Sequence, residues 1–205
     1  MRGLRHLALA FGTFLGLTFP GQAQEFAGLD VGQPFANSAR LGIPAGQQKH
    51  LGYDVKRWMR PNGIDLSVTG VPGGPIVYME SFPRPEAPAI PGEGLRFKVT
   101  TLGKALEMLG APGFYYTGRG QMATFGPNDV WFHSYALHDR HDVIVTFAFA
   151  APTQNRRYNP DGTVIENTNA LLDSMIIADY GYQLRIWGGE AIARPGYQRI
   201  NLNYQ

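Results

Sequence analysis

The chain has 205 residues, 44% hydrophobic, 17% charged and 12% aromatic, enough apolar material for one compact domain or two small ones, which excludes a chain disordered throughout. Its 26 glycines and 15 prolines call for many turns and short elements, which disfavours a helical bundle. Basic residues outnumber acidic ones by only 18 to 16, and cysteine is absent, so disulfides, thiol nucleophiles, thiolate metal sites and a lipidated N-terminal cysteine are all excluded.

Residues 1–23 read as an export signal: Arg2 and Arg5 precede the apolar run LALAFGTFLGLTF at 7–19, and Pro20-Gly21-Gln22-Ala23 supplies a turn and a small residue for cleavage near Ala23. At about 13 residues the run is shorter than the roughly 20 that span a hydrocarbon core, so no transmembrane segment is expected after cleavage. Arg2 and Arg5 leave with the signal, and the 16 basic residues that remain balance the 16 acidic ones. A neutral mature chain without a Lys/Arg cluster gives no basis for binding nucleic acid. The expected location is the periplasm or the medium.

Two short motifs suggest an internal repeat. LGIP at 41–44 returns as LGAP at 109–112, an offset of 68 residues, and at that offset Val31 matches Val99, Gly52 matches Gly120 and Val77 matches Val145. Each motif is followed by two strand-like runs, IDLSVTG (64–70) and IVYMESF (76–82) in the first copy, VWFHSYAL (130–137) and VIVTFAFA (143–150) in the second. The turn-rich links VPGG (71–74) and HDRHD (138–142) make each pair an antiparallel hairpin. Val145, Phe147 and Phe149 alternate onto one face, with Val77 and Met79 as their expected counterparts.

The helix before the second motif is the clearest in the chain. Thr100 or Thr101 can cap it, Leu102, Leu106 and Leu109 recur at helical spacing, and Gly110 with Pro112 ends it. PFANSARLG is its weaker counterpart before Gly42. The expected class is therefore α+β, two related modules that each pack a short helix on a small antiparallel sheet. Residues 24–82 form the first, 83–96 a Pro-rich connector, 97–187 the second and 188–205 a C-terminal tail of little periodicity. LLDSMIIADYGYQLRIW at 171–187 is expected to add a further strand or two.

A helix closed by Leu-Gly-x-Pro and followed by a small antiparallel sheet, twice in one exported chain, resembles the broad superfamily that contains the outer-membrane assembly lipoprotein BamE and the beta-lactamase inhibitor protein BLIP. Thr101 to Pro112, the strands at 130–150 and the first copy around Leu41 to Pro44 carry the resemblance, over residues 30–150. The chain lacks the cysteines of both proteins, so neither function carries over and no functional residue is transferred.

Among polar clusters, HSYALHDRHD stands out. His133, His138, Asp139, His141 and Asp142 could ligate a divalent cation across a hairpin, with His138, Asp139, His141 and Asp142 as the metal candidates. The same residues also suit a solvated turn, and their spacing matches no zinc signature. His133 alternates with Trp131 and Tyr135 and should share their strand face. Ser38, Ser67, Ser81, Ser134 and Ser174 lie in no nucleophile elbow, no Gly-rich loop opens a helix, and Glu80, Glu107, Asp129 and Asp173 are scattered. Trp58, Tyr115, Tyr116, Trp131 and Tyr135, flanked by Arg119, are candidate interface anchors. The expectation is an exported, non-enzymatic binding protein that contacts a protein or envelope component and needs no cofactor. A periplasmic enzyme, metal-dependent through 133–142, is the alternative, and a small-ligand binder between the modules is a further one.

Overall fold

The computed structural model describes residues 26–87 and 94–201. Residues 1–25, which hold the expected export signal, the middle of the Pro-rich connector at 88–93 and the last four residues lie outside the described residues.

A 3-10 helix at Phe35–Leu41 leads into a four-strand meander, β1 (Gly46–His50), β2 (Tyr53–Trp58), β3 (Ile64–Gly70) and β4 (Ile76–Pro83). After the connector come α1 (Leu102–Leu109), β5 (Phe114–Tyr116), β6 (Met122–Phe125), β7 (Asn128–Ala136) and β8 (Val143–Pro152). A 3-10 turn at Thr153–Asn155 and the small pair β9 (Arg157–Tyr158) and β10 (Val164–Ile165) lead to β11 (Leu171–Asp179), α2 (Tyr180–Trp187) and β12 (Ala191–Ala193). All strands but β9 and β10 join one antiparallel sheet of 10 strands, in the order β1-β2-β3-β4-β11-β8-β7-β5-β12, with β6 also on β7.

This sheet overturns the two-module expectation. Both hairpins form, but β11 inserts between them, pairing Ile177 with Met79 of β4 and with Val145 of β8. A single row of buried side chains, Val68, Met79, Ile177, Val145 and Tyr135, therefore crosses five strands in one continuous core. A hairpin or a three-strand sheet buries too little apolar surface alone, whereas the merged sheet covers one large face with shared material.

Geometry also rules out the repeat at an offset of 68 residues. β4 and β8 both run antiparallel to β11, hence parallel to each other, with β3 and β7 on their outer sides. The rotation that carries one hairpin onto the other must turn the sheet over and exchange its faces. Met79 and Phe147, which that offset pairs, nevertheless point into the same core. Val145 lies level with Met79 and not with Val77. The shared Leu-Gly-x-Pro is a local stop used twice: Gly110 caps α1 in the left-handed conformation (φ 71°, ψ 0°), whereas Gly42 follows a 3-10 helix at φ 81°, ψ −156°.

α1 forms as its sequence dictates, with Thr101 Oγ1 accepting from Lys104 N at 3.2 Å and Leu102 and Ala105 buried against the first face. The N-terminal segment covers the same face with Phe26, Leu29 and Val31. The tail is docked: β12 pairs with β5, and Ile200, 4% exposed, bridges to Leu137. Residues 180–187, expected as strand, form α2, capped by Asp179, whose carboxylate accepts from Tyr182 N at 2.8 Å. α2 covers one end of the second face, where Leu184 and Trp187 pack on Phe114, Tyr116, Ala136 and Ile144.

Candidate functional site

Beyond the C-terminal end of α2 the second face stays open as a cleft of about 390 Å³. Strand alternation builds its floor. In β8 the residues opposite the core-facing Phe147 and Phe149 are the small Ala148 and Ala150, which lie beside Phe132 and Val130 of β7. Ser174 and Ile176 of β11 and Glu80 and Phe82 of β4 extend the floor. Between Leu172 and Ser174 the pairing slips at a bulge, which sets Asp173 at the edge of the cleft.

Arg119 forms the opposite wall. It sits in the turn after β5, where its amide and that of Gly120 donate to Tyr116 O at 3.1 and 2.7 Å. Its guanidinium carbon lies 4.8 Å from the ring centre of Phe132, 4.9 Å from Phe125 and 5.5 Å from Trp187. Three rings surround the cation without offering it an oxygen acceptor. Its Nε is buried without a hydrogen-bond partner. Trp187 is itself held edge-on by Phe132 and Tyr116, with centroids 5.2 and 5.7 Å away.

Glu80 faces this wall from the floor. Tyr78 Oη donates to its Oε2 at 3.0 Å. Desolvation raises the Glu80 carboxyl above its ordinary range, and hydrogen bonds from Ser174 and Tyr78 offset this only in part. Burial likewise raises the Tyr78 phenol well above its ordinary value, and desolvation raises Asp173 against the pull of Lys98. The cleft thus combines a ring-clamped cation, two carboxyl groups whose pKa desolvation raises and an apolar floor, the composition of a small-molecule site.

The sequence candidates distribute differently. Arg119 lines the cleft, and Tyr115, half-buried, carries the Arg194 guanidinium 5.5 Å over its ring. Trp58, Tyr116, Trp131 and Tyr135 are core residues, each no more than 4% exposed, so they are not surface anchors. Trp58 Nε1 donates to Gly42 O at 3.1 Å and Tyr135 Oη to Ala111 O at 3.0 Å, which satisfies their polar ends inside the fold. His138, Asp139, His141 and Asp142 are exposed, and among the described residues no three His, Cys, Asp or Glu side chains converge on a metal position. His141 Nδ1 meets the Arg199 guanidinium instead, while Arg140 fastens the turn to the N-terminal segment through Asp30 (2.6 Å) and Val31 O (2.9 Å).

His133 shares the face of Trp131 and Tyr135, as their alternation requires, and lies 1% exposed in the core. Its carboxylate partner is the distant Glu166. The cleft residues that sequence reasoning passed over, Glu80 and Asp173, were visible only as scattered acids. A charge in the middle of IVYMESF and the small residues alternating with phenylalanine in VIVTFAFA are the signals that mark a strand face not filled by core.

No protein-family model matches the chain, and no curated protein does. Among solved structures the chain is similar to an extracellular protein containing a SCP domain from Bacillus anthracis str. Ames, at 9% identity and a TM-score of 0.46. The match covers 82% of this chain and 50% of the other, so the chain spans about half the length of that protein. Among the described residues no helix is long and apolar enough to cross a membrane.

Proposed function

We propose that this chain is an exported, non-catalytic binding protein whose site is the open cleft on the second sheet face, and that its ligand is a small molecule. One observation carries the reading: Arg119 is clamped by Phe125, Phe132 and Trp187 at the wall of a cleft of about 390 Å³, with its Nε unpartnered. Arg84 and Arg96 also bury an Nε without a hydrogen-bond partner, but of the three arginines only Arg119 lines the cleft, where a ligand can supply the acceptor. The volume lies at the small end of ligand pockets, which suits a metabolite-sized molecule better than a protein partner. Export rests on the charged start and the apolar run at 7–19. A binding role is favoured over catalysis because the His133 imidazole is itself buried, with only its Glu166 partner partly exposed, and among the described residues the His/Asp turn gathers no ligand set.

A thermal-shift screen of small organic molecules tests this, run on the wild type and on Ala150→Phe, which fills the floor. The reading expects compounds that raise the wild-type Tm, leave the variant unmoved and are recovered unchanged after incubation. Hits that stabilise both proteins equally, or that are consumed, would contradict it.

A further inference from the structure

We infer that the ligand of this cleft is an organic acid, its anionic group on Arg119 and its apolar body across the Ala148–Ala150 floor; the inference rests on the small-ligand reading above. The first argument is the state of Arg119. Aromatic rings attract a guanidinium but offer its N–H donors at most weak π acceptors, so Phe125, Phe132 and Trp187 position the cation without supplying an oxygen acceptor. The unpartnered Nε needs an acceptor in the plane of the guanidinium. A carboxylate or sulfonate supplies two oxygens in the geometry that a guanidinium fork matches.

The second argument concerns the other charges in the cleft. Glu80 already accepts from Tyr78 and Ser174, so its oxygens are engaged by the protein's own donors. Asp173 stands at the rim on the bulge of β11, on an exposed residue facing Lys98 rather than Arg119. The Arg119 charge acts on Glu80 without a hydrogen bond to it, and its Nε stays unpartnered, so a ligand anion is the complement.

The third argument is the shape of the floor. Ala148 and Ala150 keep the floor level between Val130 and Phe132 on one side and Ile176 on the other, with Phe82 and Pro83 beyond; Ala150 is half-buried, and Ala148, Val130, Phe132 and Ile176 are buried. A flat apolar body can lie there while its acid reaches Arg119, and burial of that body supplies affinity that the ion pair alone would not.

Three probes of equal shape test the charge directly: 2-naphthoate, 2-naphthylmethanol and 2-naphthylmethylammonium, titrated into the purified chain with Trp187 fluorescence as readout and Trp187→Phe as the control for its origin. We expect naphthoate to bind at least about tenfold more tightly than the alcohol, as a charge-assisted hydrogen bond implies, and the ammonium to bind weakest. In Arg119→Gln the preference for naphthoate over the alcohol should fall to within about twofold. The comparison among probes in the wild type decides the charge without relying on the folding of any variant. Equal affinity for acid and alcohol, or preference for the ammonium, overturns the acid assignment while leaving a small-ligand cleft in place. Binding by none of the three, or binding that Ala150→Phe does not weaken, overturns the cleft reading and the acid assignment together.

Discussion

The imidazole Nε2 of His133 lies 2.9 Å from Oε1 of Glu166, while its Nδ1 is buried without a partner and its ring stands edge-on to Phe149. A protonated ring would need an acceptor for Nδ1–H that the core does not provide, so His133 is held neutral with Nε2–H donating to the carboxylate. Burial is the main force lowering the His133 pKa; Arg194 adds to it, and the Glu166 hydrogen bond opposes it. Because the folded-state pKa lies below the unfolded one, the unfolded chain takes up the proton first as pH falls. Stability from this site is present above the unfolded value of about 6.5 and is lost below it. Urea midpoints at pH 7, 6 and 5 should therefore drop steadily in the wild type and drop less in His133→Leu; equal slopes in the two proteins would refute the neutral assignment.

Glu80 shows the opposite sign. Its carboxyl is raised above its ordinary value of 4.5 by desolvation, so its folded-state pKa exceeds the unfolded one and stability is greatest with the proton on. That contribution is present below about 4.5 and is lost as pH rises through the folded pKa. Glu80→Gln keeps an acceptor for Tyr78 and carries no charge. The variant should gain stability over the wild type as pH rises from 4 to 8, checked by thermal melts across that range, and a gap that narrows with rising pH would contradict the account.

Gly110 ends α1 at φ 71°, with open space around the position a Cβ would take. The cost of Gly110→Ala is then backbone strain alone, about 1 kcal/mol, with no steric clash added. Denaturant unfolding should show a loss of that order with an unchanged m-value.

Leu51 and Gly52 form the two-residue turn between His50 and Tyr53, at φ 50° and 85°. Both central residues of such a turn need positive φ, which Leu tolerates poorly and Asn well. Leu51 is 59% exposed, so little packing is lost on replacement. Leu51→Asn should raise stability by about 0.5–1 kcal/mol, and a lower Tm would mean that the side chain has a role the turn does not explain.

Elements that depend on near neighbours are legible from local signals. Thr101, the leucines at helical spacing and Gly110 define α1, and period-2 alternation defines the hairpins of β3–β4 and β7–β8. What alternation leaves open is which strand lies beside which. A buried central strand such as β11 can join either hairpin, and here it joins both, so the matching Leu-Gly-x-Pro stops imitate a repeat that the strand order does not contain. β1 escaped notice because GQQKH is exposed along its whole length and has no apolar face. YGYQLRIW reads as an aromatic strand, and only the Asp179 cap and Gly188 mark it as a helix. The aromatic residues divide by the sheet face they take, a property of the assembled sheet: Trp131 and Tyr135 serve the main core, while Phe132, equally buried and between them in sequence, lines the cleft on the other face.

Backbone amide shifts on titration with 2-naphthoate locate the ligand and so test the central claim most directly. The account predicts that the largest changes fall at Glu80, Arg119, Phe132, Ala148, Ala150 and Ser174, which come from five separate segments of the chain and meet only around the cleft. Changes centred instead on His141, Tyr180 and Arg199, which line a second cavity at the other end of α2, or an unchanged spectrum at saturating probe, would contradict it.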